Sequence, residues 1–276
     1  MAGSRGRGRV DVASVAGALL AAGGILGGLL MEGGRIQDVS QITAAIIVFG
    51  GTLGAVMIHT PPSTLLRALR CLPQVFVAAD LSLGAILDDI IGYATKARKM
   101  GLVSLESAAG SIEDPFLAKA LTLAIDGTDL QELRQTMELE IAIEERWAEA
   151  DARVFESAGG YAPTIGIIGA VMGLIQVMKN LANIDEVGHG IAVAFVATVY
   201  GVASANLFFL PAAGKIKAHA SQEAERKEMI LEGVSSIVEG LNPKIIRSKL
   251  EGYLGDRPQA QAVPEGRQRA TRSAAA

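Results

Sequence analysis

The stretch SAGGYAPTIGIIGAVMGLIQVM, residues 157–178, holds no Asp, Glu, Lys or Arg and reads as a helix long enough to cross a bilayer. Helical residues rise about 1.5 Å each, so roughly 20 of them cover the roughly 30 Å of hydrocarbon in a membrane. Residues 12–31, 39–58 and 190–214 meet the same test. Four such runs in a chain of 276 residues, half of them hydrophobic and only 4% aromatic, predict an all-α polytopic membrane protein with a helical, water-exposed domain between the second and third spans. Because no span carries an Asp, Glu, Lys, Arg or His, any ion crossing here needs a carboxylate from another polypeptide.

Orientation is set by the basic residues flanking each span, which are retained on the cytoplasmic side. Arg5, Arg7 and Arg9 precede the first span, Arg67 and Arg70 come after the second, Arg146 and Arg153 precede the third, and Lys215 and Lys217 come after the fourth. The opposite side has only Arg35 and Lys179. Both termini and the long loop are therefore expected in the cytoplasm. The basic residues before the first span resemble the start of a signal peptide, but that span has full transmembrane length and shows no clear cleavage pattern at its end, so it is read as retained. The expected organisation is a basic N-terminus at 1–11, spans one and two at 12–58, a cytoplasmic helical domain at 59–156, spans three and four at 157–214, a stalk with an amphipathic helix at 215–254, and a disordered tail at 255–276.

Local signals divide the cytoplasmic part. Pro61 and Pro62 stop the second span, and Ser63 is expected to cap the next helix. A helix is predicted from about 81 to 100, ended by Lys96, Arg98 and Lys99 in its last turn and by Gly101 in a left-handed cap. Ser104 is expected to cap a short helix with Glu106 in its first turn, and Asp114 before Pro115 starts another. Thr128 and Gln131 have capping-box spacing at the head of a helix running into the third span. Its apolar side is expected to hold Leu130, Leu133, Met137, Ile141 and Trp147, and its carboxylates, Asp151 among them, to form a solvated acidic face. Pairs of glycines four apart, Gly23 with Gly27, Gly24 with Gly28, and Gly169 with Gly173, predict close helix packing.

Catalytic signals are missing. There is no glycine-rich phosphate loop, nucleophile elbow or zinc-type spacing, and His59, His189 and His219 lie far apart, so an enzyme, a cofactor and a metal site are not expected. The net charge of −4 argues against a nucleic-acid partner. The lone Cys71 rules out a disulfide framework and reads as a small buried residue. At membrane depth the polar groups are hydroxyls and one amide, including Thr43, Thr52, Thr164, Thr198, Tyr200, Ser204 and Asn206, most of them expected to bond their own helix backbone. Thr198, mid-span among Ala, Val and Phe, is the one able to hydrate or align a passing ion. Pro163 and Pro211 fall near the cytoplasmic ends of the last two spans, where a kink or hinge is expected.

Four blocks in order, KARKMGLVSLE at 96–106, GGYAPTIGIIGAVMGLI at 159–175, VATVYGVASANLFFLPAAGKI at 196–216 and EGLNPKII at 239–246, resemble the MotA family of bacterial flagellar motor stator subunits, within the wider MotA/TolQ/ExbB group. The resemblance implies five copies in the bacterial inner membrane around two copies of a single-span partner, MotB, whose membrane Asp carries the ion and whose outer domain grips peptidoglycan. It further implies that Arg98, Lys99 and Glu106 face the rotor protein FliG, that Pro163 and Pro211 are the prolines tied to torque, and that Ala170 and Thr198 border the ion path. Ala170 stands where sodium-driven relatives tend to carry Thr, so protons are the expected ion. The alternative is an ExbB or TolQ type energiser of outer-membrane processes, but those resemble three-span chains, and two closely spaced N-terminal spans favour the motor.

Overall fold

The computed structural model describes residues 11–77, 82–110 and 112–255, and over these it is built from helices with no β-strand element. The basic N-terminal residues and the tail beyond Gly255 lie outside the described residues. In chain order the helices are α1 (Val12–Met31), α2 (42–59), α3 (Pro62–Cys71), α4 (Leu83–Met100), α5 (Glu106–Ala109), α6 (Pro115–Ile125), α7 (Leu130–Lys179), α8 (Ile184–Val238) and α9 (Pro243–Leu250). The helix containing the quoted stretch is 50 residues long, as the absence of any breaker before it requires. Four helices, α1, α2, α7 and α8, are long and apolar enough to cross a membrane.

The chain divides into two compact units, residues 1–80 with 142–222, and 81–141 with 223–276, and α7 and α8 contribute to both. In the first unit α7 and α8 meet through glycine. A Cβ on Gly201 would sit 2.5 Å from the Ala162 carbonyl oxygen, and one on Gly173 would sit 2.7 Å from the Gly190 oxygen. Gly166 and Gly190 face backbone oxygens nearly as closely, at 2.9 Å each. Backbone cannot retreat as a side chain can, so these positions admit hydrogen alone. Lipid gives apolar helices no hydrophobic reason to associate, and close van der Waals approach is what remains.

The second span packs onto this pair. Ala44 and Val48 of α2 are buried with Val193, Val196 and Ala197 of α8, and the Tyr200 hydroxyl donates to the Val39 oxygen at 2.6 Å while accepting from the Gln41 N–H. The first span behaves differently. No residue of α1 is buried, and a Cβ at Gly23, Gly24, Gly27 or Gly28 would meet nothing, so the close packing expected there is not made within this chain. Its start is fixed instead by Asp11, whose N–H donates to the Phe76 oxygen at 2.9 Å and whose carboxylate accepts from Ala13 N and Ser14 Oγ and pairs with Lys215. The Lys215 ammonium and the Ser14 hydroxyl hold the Asp11 carboxyl well below the usual carboxylate range.

α3 turns its apolar side, including Ala68, against Ala152 and Phe155 of α7. Arg67 is carried in with it: its Nε lies 2.8 Å from both oxygens of Asp151, and Cys71 Sγ is 3.8 Å from one of them. Asp151 is only 3% exposed. The acidic face expected on α7 is therefore interrupted at this residue, because α3 covers it and brings the charge that makes burial tolerable. Trp147, expected on the apolar side, is 56% exposed and supplies only its backbone oxygen to Arg67. His59 lies 3.2 Å from Ser157 Oγ and edge-on to Tyr161.

The second unit has an apolar core, with Ile90 and Leu105, Leu121 of α6, Leu133 and Met137 of α7, Met229, Ile230 and Val234 of α8, and Ile246 and Leu250 of α9 fully buried. Asp114 caps α6 by accepting from Phe116 N and Leu117 N, each at 2.9 Å, and pairs with Arg226. Other caps differ from expectation. Asp129, not Thr128, caps α7 by accepting from Gln131 N, since its carboxylate is one residue closer to the first turn. Ser104 donates to the Gly101 oxygen at 2.6 Å instead of capping α5. Ser63 does not cap α3, because Pro62 already occupies the first helical position and the Pro61 oxygen accepts from Thr64 and Leu65. Gly101 has the expected positive φ of 82° but an extended ψ of 163°, so it opens a 3₁₀ turn at Leu102–Leu105.

Gly201→Ala should lower stability by about 1 to 3 kcal/mol through overpacking, and Gly54→Ala, whose Cβ meets nothing, should not; thermal unfolding of the purified protein measures both. Arg67→Met strands the buried Asp151 carboxylate and should cost about 3 kcal/mol. Adding Asp151→Asn to that variant should restore part of the loss. Burial pushes the Glu232 carboxyl up, but its contact with Lys249 and the charges of Arg134 and Lys249 overcome this and leave it below its ordinary 4.5. Its folded value being depressed, the group stabilises above pH 4.5, and that contribution disappears as pH falls through the lower folded value. Glu232→Gln should therefore flatten the acid limb of a stability-against-pH curve.

Candidate functional site

Two sets of residues emerge, one in each unit. In the membrane unit, Gly169 of α7 meets Ala197 of α8, with a Cβ-to-Cβ approach of 2.7 Å if Gly169 were alanine. Ala170 and Thr198 are the next residues on each helix, and both are half-buried beside this seam. The Thr198 hydroxyl donates to the Ala194 oxygen at 3.3 Å, so its proton is held by its own helix while its oxygen remains an acceptor. Thr164, Ser204 and Asn206 also bond nearby backbone, as expected. Thr52 does not: it is buried, and its hydroxyl has no partner among the described residues. It lies just after a π-helical turn, Ile46–Gly50, a deviation from regular helix that often marks functional positions.

The two prolines are accommodated in different ways. Pro163 sits inside α7 without ending the helix. Pro211 comes after a second π-helical turn, Ala205–Phe209, in which the Leu210 N–H reaches back to the Ala205 oxygen. The widened turn gives the proline ring room where a regular helix would press it against a carbonyl. The prolines are legible in the sequence and the π-turns are not, since hydrogen-bond register depends on how neighbouring helices pack. The same helix carries His219, whose pKa is pushed down by burial and then by the Lys215 charge.

In the second unit, Arg98 and Lys99 stand exposed in the last turn of α4, and Glu106 stands exposed as the first residue of α5. None of the three forms an ion pair among the described residues. The turn joining them is held from below, with Leu105 fully buried and Leu102 packed against the same core. Lys96 Nζ reaches Ser107 Oγ at 3.4 Å across it. No cluster of three or more His, Cys, Asp or Glu comes together among the described residues, so neither set resembles a metal centre.

Comparison with known proteins supplies the frame for this geometry. Residues 15–99 match the family described as Motility protein A N-terminal, and residues 108–229 match the MotA/TolQ/ExbB proton channel family. Motility protein A of Bacillus subtilis (strain 168) is 33% identical over 258 residues, covering 93% of this chain and 96% of the relative. The solved structure of C. jejuni MotAB aligns with a TM-score of 0.85 at 32% identity, over 90% of this chain and 98% of that one. That of the flagellar MotAB stator complex from Bacillus subtilis aligns with a TM-score of 0.83 at 34% identity, over 88% and 96%. With near-complete coverage in sequence and in fold, this chain belongs to the Motility protein A family, within the MotA/TolQ/ExbB proton channel group.

Proposed function

We propose that this chain is the multi-span subunit of a flagellar motor stator, forming an ion channel with a MotB-type partner and converting ion flow into torque. The observation that carries this is the coincidence of two facts: four spans without one Asp, Glu, Lys, Arg or His, and likeness along nearly the whole chain to stator complexes in which a second protein is present. An uncharged wall needs a guest carboxylate, and a single-span partner supplies it. Several copies of the chain surround that partner, five on the family pattern. The partner's Asp takes up a proton beside Ala170 and Thr198 and releases it toward the cytoplasm. Supporting this choice of ion, Ala170 offers no hydroxyl with which to coordinate sodium.

One elementary charge falling through 100 mV supplies about 2.3 kcal/mol, enough to bias two packings of similar energy. Pro163 and Pro211 pass the resulting movement out of the membrane, where Arg98, Lys99 and Glu106 act on the rotor protein FliG. The basic flanks support an inner-membrane orientation with both termini and residues 59–156 in the cytoplasm. The chain has no catalytic role of its own.

In a strain lacking the gene, the wild-type chain should restore swimming. The double variant Arg98→Glu with Glu106→Lys should reduce swimming speed by half or more at unchanged membrane abundance. Normal swimming by that variant would reject the rotor-facing assignment.

A further inference from the structure

We propose that Met100 and Val103 form the apolar centre of the rotor contact, a ledge that a shallow hydrophobic depression on the partner covers, with Arg98 and Lys99 on one side of it and Glu106 on the other. The proposal rests on the rotor-facing reading of those charges. It adds what they cannot supply, a contact that holds in salt water.

In the second unit, Met100 and Val103 are the most exposed large apolar side chains among the described residues, at 70% and 69%. Exposed apolar residues scattered singly are normal and need no explanation. These two are not scattered. They lie three residues apart across Gly101, whose φ of +82° turns the chain between them. The turn is fixed by the Ser104 hydroxyl on the Gly101 oxygen and by Leu102 and Leu105, which enter the core while Met100 and Val103 point away from it. A ledge already held in its bound shape loses little freedom on association.

The charges beside it are exposed, and exposed ion pairs gain little because water and salt screen them. They steer and orient a partner. Removing apolar area from water is insensitive to that screening, and interface centres are enriched in Met and depleted in charge. Charge complementarity states the partner's chemistry: an apolar depression with carboxylates where Arg98 and Lys99 fall and a basic group where Glu106 falls. Met suits such a surface for a second reason. Its flexible thioether fits successive, slightly different positions, as repeated stepping demands.

The test uses the full stator complex, this chain with its MotB-type partner, in lipid nanodiscs, with full-length FliG as probe at low and at high salt. Met100→Ser with Val103→Ser should weaken binding about tenfold at both salt levels, and stall torque should fall in cells. Met100→Leu with Val103→Ile should stay within about twofold of wild type. If the serine pair binds as wild type while the Arg98→Glu, Glu106→Lys variant does not, the ledge is not the contact and the rotor reading stands. If neither variant changes binding, the rotor reading itself falls. If the serine pair instead alters the mass of the complex, a neighbouring copy covers the ledge, and the proposal is overturned.

Discussion

Where Gly201 of α8 passes the carbonyl of Ala162 on α7, there is space for a hydrogen atom and for nothing larger. The same constraint recurs at Gly166, Gly173 and Gly190, and the membrane unit depends on it. In lipid these helices have no water to escape from, so intimate contact between their backbones does most of the work of holding them together. The seam also sets what lies beside it. Ala170 and Thr198 are half-buried because their preceding residues are in contact, and α2 reaches its place by packing Ala44 and Val48 onto the same face of α8.

Charge in the membrane unit obeys a complementary rule. It is kept out of the spans and, at several of their ends, paired. Asp11 with Lys215 secures the start of the first span, Arg67 with buried Asp151 fastens α3 to α7, and Glu156 with Lys217 links α7 to α8. The last pair is exposed and contributes little. The Asp151 pair is different in kind: a carboxylate almost sealed from water must keep its partner, so it fixes where α3 sits more than it adds stability. The second unit is held by conventional means, an apolar core shared by α4, α6, α7, α8 and α9 together with capped helix starts.

Much of this is legible in the sequence. The spans, the long helices that run on beyond the third and fourth of them, the Asp114 cap and the break at Gly101 all come from chemistry that acts within a turn or two. The misreadings share one cause. Periodicity puts Asp151 in water and Trp147 in the core because it tells which residues share a face, not what covers that face. Gly23 and Gly28 of α1 carry the same signal for tight contact that proves correct at Gly173. A small-residue pattern shows that a close approach is possible, and only a partner helix decides whether it occurs.

The amino-acid order alone determined that this is a four-span helical protein whose membrane segments carry no charge, because bilayer thickness and the expense of burying an ion act on each segment independently of the others. Tertiary structure decided which glycines meet backbone, which carboxylate is buried, where the helices slip into π-turns, and that Met100 and Val103 stand outside while Leu102 and Leu105 turn in. Those outcomes depend on which surfaces are brought together by residues far apart in the chain, and no local pattern contains that information.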